Sequence, residues 1–342
     1  MGGLLSVNAL SPIRPTLLTA FLLIMALLLS YGQLIAQGKI VEDLNKQLIH
    51  IAIEEIANKG NLDKIADLCT EDFVRHFLPD GSQTEGLPDF KSQMAHLRMA
   101  FPDWVEDIKL MALEDDMVAV WMIASGTNTA SFLNNLPTGK KTVHDVVSFF
   151  RIADGKIAEQ WLLPDLYSIY YHLGLIPGQE ATENNAEVIS EVLEPDLEID
   201  SIELKRNKDL ALLANKEVWT NGNFERLDKM FSDDFVQHFL PFGTHIDGLE
   251  LFRKKCIAHR NAFPDWSEVV NLIVSEGNYV FIQYTSTGTN TGHFLGKPPT
   301  GKPIHIDEVT IFSITKGKIA EQWLLPDILS LNQQLGSTAS SD

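Results

Sequence analysis

The sequence predicts an α+β fold built twice in tandem. Three observations carry that reading. The peptide GKIAEQWLLPD stands at Gly155–Asp165 and again, letter for letter, at Gly317–Asp327. The offset between the two, 317 minus 155 or 162 residues, relates most of the chain without a gap. Within each copy helical periodicities come first and strand alternations last, the order of an α+β domain.

At the same offset Asn45-Lys46 meets Asn207-Lys208, and Asp72-Phe-Val-Arg-His76 meets Asp234-Phe-Val-Gln-His238. Phe101-Pro-Asp-Trp104 meets Phe263-Pro-Asp-Trp266, and Gly126-Thr-Asn-Thr129 meets Gly288-Thr-Asn-Thr291. Pro137-Thr-Gly-Lys140 meets Pro299-Thr-Gly-Lys302. Two units of about 130 residues make a tandem domain, because solenoid repeats run about 20–50 residues. We place the first domain at 41–176, an acidic linker at 177–204 and the second domain at 205–337. Residues 176–205 hold nine acidic residues against one Lys, with Pro177, Gly178 and Pro195, as a solvated connector would; a short helix is expected near Ala186–Leu193.

Each element of the first copy has a local reason. Leu48, Ala52, Ile53 and Ile56 share one helical face, which ends at Gly60; Leu62–Leu68 makes a second, short helix. A strand is expected over Phe73–Leu78. Gly86 and Pro88 open a helix over Phe90–Ala100 that Pro102 stops. Strands follow near Trp104–Ala112, Met117–Gly126, Thr142–Ile152 and Lys156–Leu163, divided by turn signals such as Asp154-Gly155. A closing helix, Leu166–Leu173, ends at Gly174.

Composition narrows the partners. Lys plus Arg total 27 against 46 Asp plus Glu, a formal charge of −19, and a surface of that sign repels phosphate backbones, so nucleic acid is not expected as a partner. Residues 1–36 read as a leader or anchor: Arg14 precedes Leu17–Leu29, in which only Thr19 is polar. Small residues at Ser30, Gly32 or Ala36 offer cleavage points, whereas Leu17–Ile35 is just long enough to span a bilayer uncleaved. The chain is therefore expected to be exported, to the periplasm or the cell exterior, or anchored in a membrane. Cys69 aligns with Phe231 and Cys256 with Met94, so both cysteines read as small core side chains. No metal-ligand spacing, phosphate-cradling glycine loop, nucleotide fingerprint or Gly-x-Ser-x-Gly elbow is present, and neither metal nor cofactor is expected.

The repeated peptide holds the first candidate for chemistry. Side chains alternate across a strand, so Ile157, Glu159, Trp161 and Leu163 share one face. A carboxylate among Ile, Trp and Leu is costly unless paired or protonated, and burial raises its pKa toward the range of a useful acid or base. Asp145, aligned with Asp307, shares a face with Val147 and Phe149 on the neighbouring strand, so Asp145 and Glu159 are expected to face one cavity. In the second copy His305 joins Asp307 and Glu321. In the first the histidine is His144, in the opposite register, which makes the second half the better candidate catalyst. His76 and His238 end the first strand of each copy and suit a ligand carbonyl or a loop cap. Asn128 and Asn290 line the cavity or fold a turn. Asp165 and Asp327, each after Pro and before a helix, are candidates for catalysis or for capping. Trp104, Trp161, Trp266 and Trp323 form walls of the core or of the ligand site.

Taken together, the Phe-Pro-Asp-Trp, Gly-Thr-Asn-Thr, Pro-Thr-Gly-Lys and Gly-Lys-Ile-Ala-Glu-Gln-Trp motifs, with Asp165 and Leu173-Gly174, resemble the SnoaL-like polyketide cyclase (ester cyclase) family. The resemblance implies an NTF2-like fold, in which a curved antiparallel sheet wraps around helices as a cone with one apolar pocket. It also implies intramolecular aldol cyclisation by acid/base chemistry without metal or cofactor. The family's acid/base, an aspartate in the last strands, maps onto either Glu159/Glu321 or Asp165/Asp327. The expected activity is that of a cyclase or isomerase on a small hydrophobic carbonyl compound. The alternative is a protein that holds such a molecule without converting it. The duplication itself suggests two halves packed as an intramolecular pseudo-dimer.

Overall fold

The computed structural model describes residues 42, 44–176 and 192–336. The expected leader or anchor and the linker helix at 186–193 lie wholly or mostly outside them. Among the described residues no helix is long and apolar enough to cross a membrane. The chain divides at Leu44/Asn45, and both domains belong to the second unit, Asn45–Asp342.

Each domain repeats one plan. In the first, a helix (α1, residues 45–52) runs into a π-helical turn, Ile53–Asn58, and short α2 (Ile65–Leu68) leads into strand β1 (Cys69–Phe77). Then come β2 (Ser82–Glu85), α3 (Leu87–Ala100), β3 (Val105–Glu114), β4 (Met117–Thr127), β5 (Lys141–Ala153), β6 (Lys156–Pro164) and α4 (Leu166–Leu173). The second domain supplies α5 (Ser201–Ala214), α6 (Leu227–Met230), β7 (Phe231–Phe239), β8 (Thr244–Asp247), α7 (Leu249–Ala262), β9 (Ser267–Glu276), β10 (Tyr279–Thr289), β11 (Pro303–Thr315), β12 (Lys318–Pro326) and α8 (Ile328–Leu335). The sheets run in the orders β2-β1-β6-β5-β4-β3 and β8-β7-β12-β11-β10-β9. β1 lies parallel to β6, and β7 to β12, and the remaining pairs are antiparallel, so each sheet is mostly antiparallel with one parallel pair.

The repeated motifs fix joints of this plan. Asp103 in Phe-Pro-Asp-Trp accepts from the backbone N–H of Thr127 at 2.6 Å, and Asp265 accepts from Thr289 at 2.7 Å, tying the helix exit to the end of β4 or β10. Asp165 accepts the N–H of Ser168 at 3.0 Å and Asp327 that of Ser330 at 3.0 Å, capping α4 and α8. Gly174, at φ 75°, closes α4 in a left-handed conformation that a side chain would strain.

Both faces of each sheet are buried, by different partners. The concave face of the first sheet packs on its own helices: Phe73, Val146, Phe150, Ile152, Ile157 and Leu162 join Ile49, Phe90 and Met94. The convex face packs on the other domain: Leu110, Trp121, Val147, Phe149 and Leu163 share one cluster with Phe281, Val309, Ile311, Trp323 and Leu325. Trp121 and Trp323 meet at 5.9 Å between ring centroids. The polar contacts obey an approximate two-fold. Lys46 Nζ reaches Glu276 Oε1 at 2.6 Å while its counterpart Lys208 reaches Glu114 at 2.6 Å. Likewise Ser168 Oγ donates to the Pro241 carbonyl at 2.9 Å, and Ser330 Oγ to that of Pro79 at 3.3 Å. The halves form a covalent pseudo-dimer joined sheet to sheet.

Candidate functional site

The register of β6 reverses the expected orientation of the repeated glutamate. Arg151 pairs with Glu159 but Ile152 with Ile157, so a bulge at Ala158 turns Ile157 inward and Glu159 outward. Glu159 and Trp161 then lie on the convex face with Leu163, and Gln160 and Leu162 point into the cone. Glu159 is an ion-pair residue there: Arg151 donates to its Oε1 through Nε at 2.8 Å and Nη2 at 2.5 Å, and His76 Nε2 lies 3.2 Å from Oε2. Burial works to raise the pKa of Glu159, but the Arg151 and His76 hydrogen bonds outweigh it and hold it below the usual glutamate value.

The other convex-face candidates are placed in the same way. His76 stacks on Trp161 at 4.9 Å, and His238 on Trp323 at 5.2 Å with Glu321 at 3.1 Å. Asp145 accepts from Trp121 Nε1 at 2.7 Å, and burial pushes its carboxyl up to about 8. Asp307 accepts from Gln283 at 2.8 Å and Thr285 at 2.9 Å, while His305 is exposed. Asp165, raised to about 6 by burial, and Asp327, raised for the same first reason, cap helices at the domain contact. Asn128 and Asn290 hold loops, each taking a backbone N–H at 2.8 Å from Thr138 or Thr300 and donating to Ala130 or Gly292. Glu159, Asp145 and His76 therefore do not share the cavity of the first cone, nor Glu321, Asp307 and His305 the interior of the second. They lie on the convex side instead, beside Trp161, Trp121 and Trp323 of their own sheets, whose outer faces meet the other domain.

The polar groups inside the cones are different ones. In the first, a cavity of about 50 Å³, counted as space open to the centre of a water molecule, is lined by Arg75, Glu106 and Gln160 among Phe73, Phe90 and Phe150. At about 10–15 Å³ per water centre, that is room for a few water-sized groups. Arg75 projects inward from β1, its guanidinium 5.5 Å from the Phe90 ring centroid and its Nη1 3.7 Å from Met94 Sδ. Glu106, two residues after Trp104, accepts from Trp104 Nε1 at 3.0 Å. Burial raises the Glu106 carboxyl, opposed by that bond and by the charge of Arg75. Gln160 Nε2 donates to Ser148 Oγ at 3.2 Å. Beside Trp104, at 5.5 Å, the buried ring of His144 has its pKa pushed down to about 3 by burial and stays neutral.

The second cone keeps the Trp-x-Glu unit and changes its surroundings. Trp266 Nε1 donates to Glu268 at 2.9 Å, and Asn215 Nδ2 donates to the same carboxyl at 2.6 Å. Glu308 is buried on β11, and burial raises both carboxyls, with the Glu308 charge raising Glu268 further. Arg75 is replaced by Gln237, and the cation comes from α7 instead. Lys255 donates to Gln237 Oε1, which continues through Gln322 at 2.8 Å to Thr310 at 2.7 Å, and burial lowers the Lys255 amine to about 8. Sequence reasoning missed Arg75, Glu106, Glu268, Lys255 and Glu308. One signal was available: Trp104-Val-Glu106 and Trp266-Ser-Glu268 recur at the same offset, and residues two apart in a strand share a face.

Comparison with known proteins gives the family. The model of the SnoaL-like polyketide cyclases matches twice, at residues 47–173 and 209–335, more than half of the chain, and the chain belongs to that family. A structure from Jannaschia sp. CCS1, described as a SnoaL-like polyketide cyclase, is 24% identical with a TM-score of 0.39, covering 41% of this chain and 97% of its own. IdmH from Streptomyces antibioticus, described as a polyketide cyclase, is 27% identical with a TM-score of 0.34, covering 38% and 98%. A polyketide cyclase structure from Bacillus cereus is 26% identical with a TM-score of 0.36, covering 42% and 89%. No match was found among curated proteins.

Proposed function

We propose that the first cone is an acid/base site of cyclase or isomerase type for a small hydrophobic carbonyl compound. The observation that carries this is the meeting of Glu106 and Arg75 in the wall of one apolar cavity. Glu106, as carboxylate, takes a proton from the carbon next to the carbonyl, and the electron pair passes to the carbonyl oxygen as an enolate. Arg75 offsets the charge on that oxygen. The enolate carbon then attacks a second carbonyl, whose oxygen recovers the proton from Glu106, or it is reprotonated at another carbon. Neither route needs an oxidant. Burial that raises Glu106 toward the working pH makes it a better base, and such catalysis contributes about 10²–10⁴-fold.

Retention without conversion is the second reading, and the small cavity favours it, since about 50 Å³ leaves little space for a chain to fold on itself. Hydrogen–deuterium exchange at the acidic carbon of a β-keto ester, followed by NMR, separates the two. The native chain should accelerate exchange and Glu106→Gln should lose about 10²-fold or more of the acceleration. Equal rates for the two proteins would remove Glu106 from the chemistry.

A further inference from the structure

The cation in the first cone lacks a matching anion. Among the described residues Arg75 forms no ion pair: its Nε is buried without a hydrogen-bond partner, and its Nη1 meets only the weakly accepting sulfur of Met94. The acid with an electrostatic influence on it, Glu106, is already engaged by Trp104 Nε1. Burial lowers the Arg75 guanidinium only to about 10, so it remains charged at neutral pH. A charge held among Phe73, Phe90 and Phe150 is costly unless it is paired, and a neutral carbonyl oxygen compensates it only in part.

Resting on the reading of this cavity as the ligand site, we propose that its preferred ligand is a small apolar carboxylic acid whose carboxylate is held by the Arg75 guanidinium, and that the neutral ester implied by the family resemblance binds more weakly. The planar fork of arginine matches the two oxygens of a carboxylate, and charge-assisted bonds of this kind are about twice as strong as neutral ones. One cation suits a monoanion. A dianion such as phosphate would add charge that Arg75 alone does not neutralise, beside the acid Glu106. The aromatic wall accepts a short alkyl or aryl body, which the limited volume keeps small or leaves projecting through the mouth.

The two halves differ at this point, and the difference supplies a control. Gln237 occupies the position of Arg75 in the second sheet, paired with Trp-flanked β12 in the same register, so the fold accepts glutamine there. The test is titration calorimetry of the full chain with isovalerate and with isovaleramide, which share a shape and differ in charge. The acid should bind roughly tenfold or more tightly than the amide. Arg75→Gln should abolish that preference while its circular dichroism stays unchanged, and Glu159→Gln, on the convex face outside the cavity, should retain it. Equal binding of acid and amide, no saturable binding of the acid up to tens of millimolar, or a preference that survives Arg75→Gln would each overturn the proposal. Because the readout is binding, a failed exchange assay with Glu106→Gln would sink the catalytic reading and leave this one standing.

Discussion

Lys46 of the first domain holds Glu276 of the second at 2.6 Å, and the second oxygen of Glu276 accepts the backbone N–H of Leu113 at 2.9 Å. One side chain thus ties an ion pair and a strand edge across the domain contact. Lys46→Glu should destabilise the chain by about 1 kcal/mol or more, since it replaces attraction with like-charge repulsion in a half-buried setting. Adding Glu276→Lys should recover part of the loss, giving a coupling energy of about 0.5–3 kcal/mol in urea unfolding. Strict additivity of the two changes would mean that the residues do not interact.

The convex-face aspartate makes stability depend on pH in a defined direction. The folded-state pKa of Asp145 is raised to about 8 from 3.8, so the folded chain binds a proton that the unfolded chain has released between those values. Stability should therefore fall as pH rises from about 4 to about 8, by at most about 1.4 kcal/mol per pH unit for one proton. Asp145→Asn, which keeps an acceptor for Trp121 Nε1, should flatten the dependence and raise the melting temperature at pH 8. A native melting temperature independent of pH across this window would contradict it.

Glu159 should behave as a structural residue. Glu159→Gln removes an ion pair with Arg151 that is partly open to solvent, so the loss should stay within about 1 kcal/mol, with any activity or ligand binding in the first cone unchanged. The sign opposes that of Asp145: the folded pKa is lowered, so this contribution is present above about 4.5 and disappears as pH falls below it. Loss of activity in a fully folded Glu159→Gln protein would put the chemistry on the wrong face in our account.

Lys255 should be an unusually reactive amine. With its pKa lowered to about 8 from 10.5, a far larger share of it is neutral at pH 8 than of an ordinary lysine. Limited acylation read by peptide mass spectrometry should show a rate for Lys255 that levels off near pH 8, while exposed lysines continue to rise. A rate that tracks the exposed lysines would exclude the shift.

What the sequence determined by itself was the architecture. The duplication and the α+β order are legible in the repeat and the periodicities, and the helix stop at Gly174 follows from a local pattern, whereas the choice between capping and catalysis at Asp165 came from its bond to the Ser168 N–H. Short β2 carries too few residues to announce itself, and β1 beside β6 brings together segments about eighty residues apart.

Only the tertiary structure decided which way the strands face. Alternation sorts Glu159 with Trp161 and Leu163, but an apolar face can be buried by its own helices or by a second domain, and here both faces are covered. The bulge at Ala158 and the sheet-to-sheet contact then send Glu159 and Asp145 outward, and leave the cone to Arg75 and Glu106. Burial depends on what lies across the gap, and a single strand's pattern does not contain its partner.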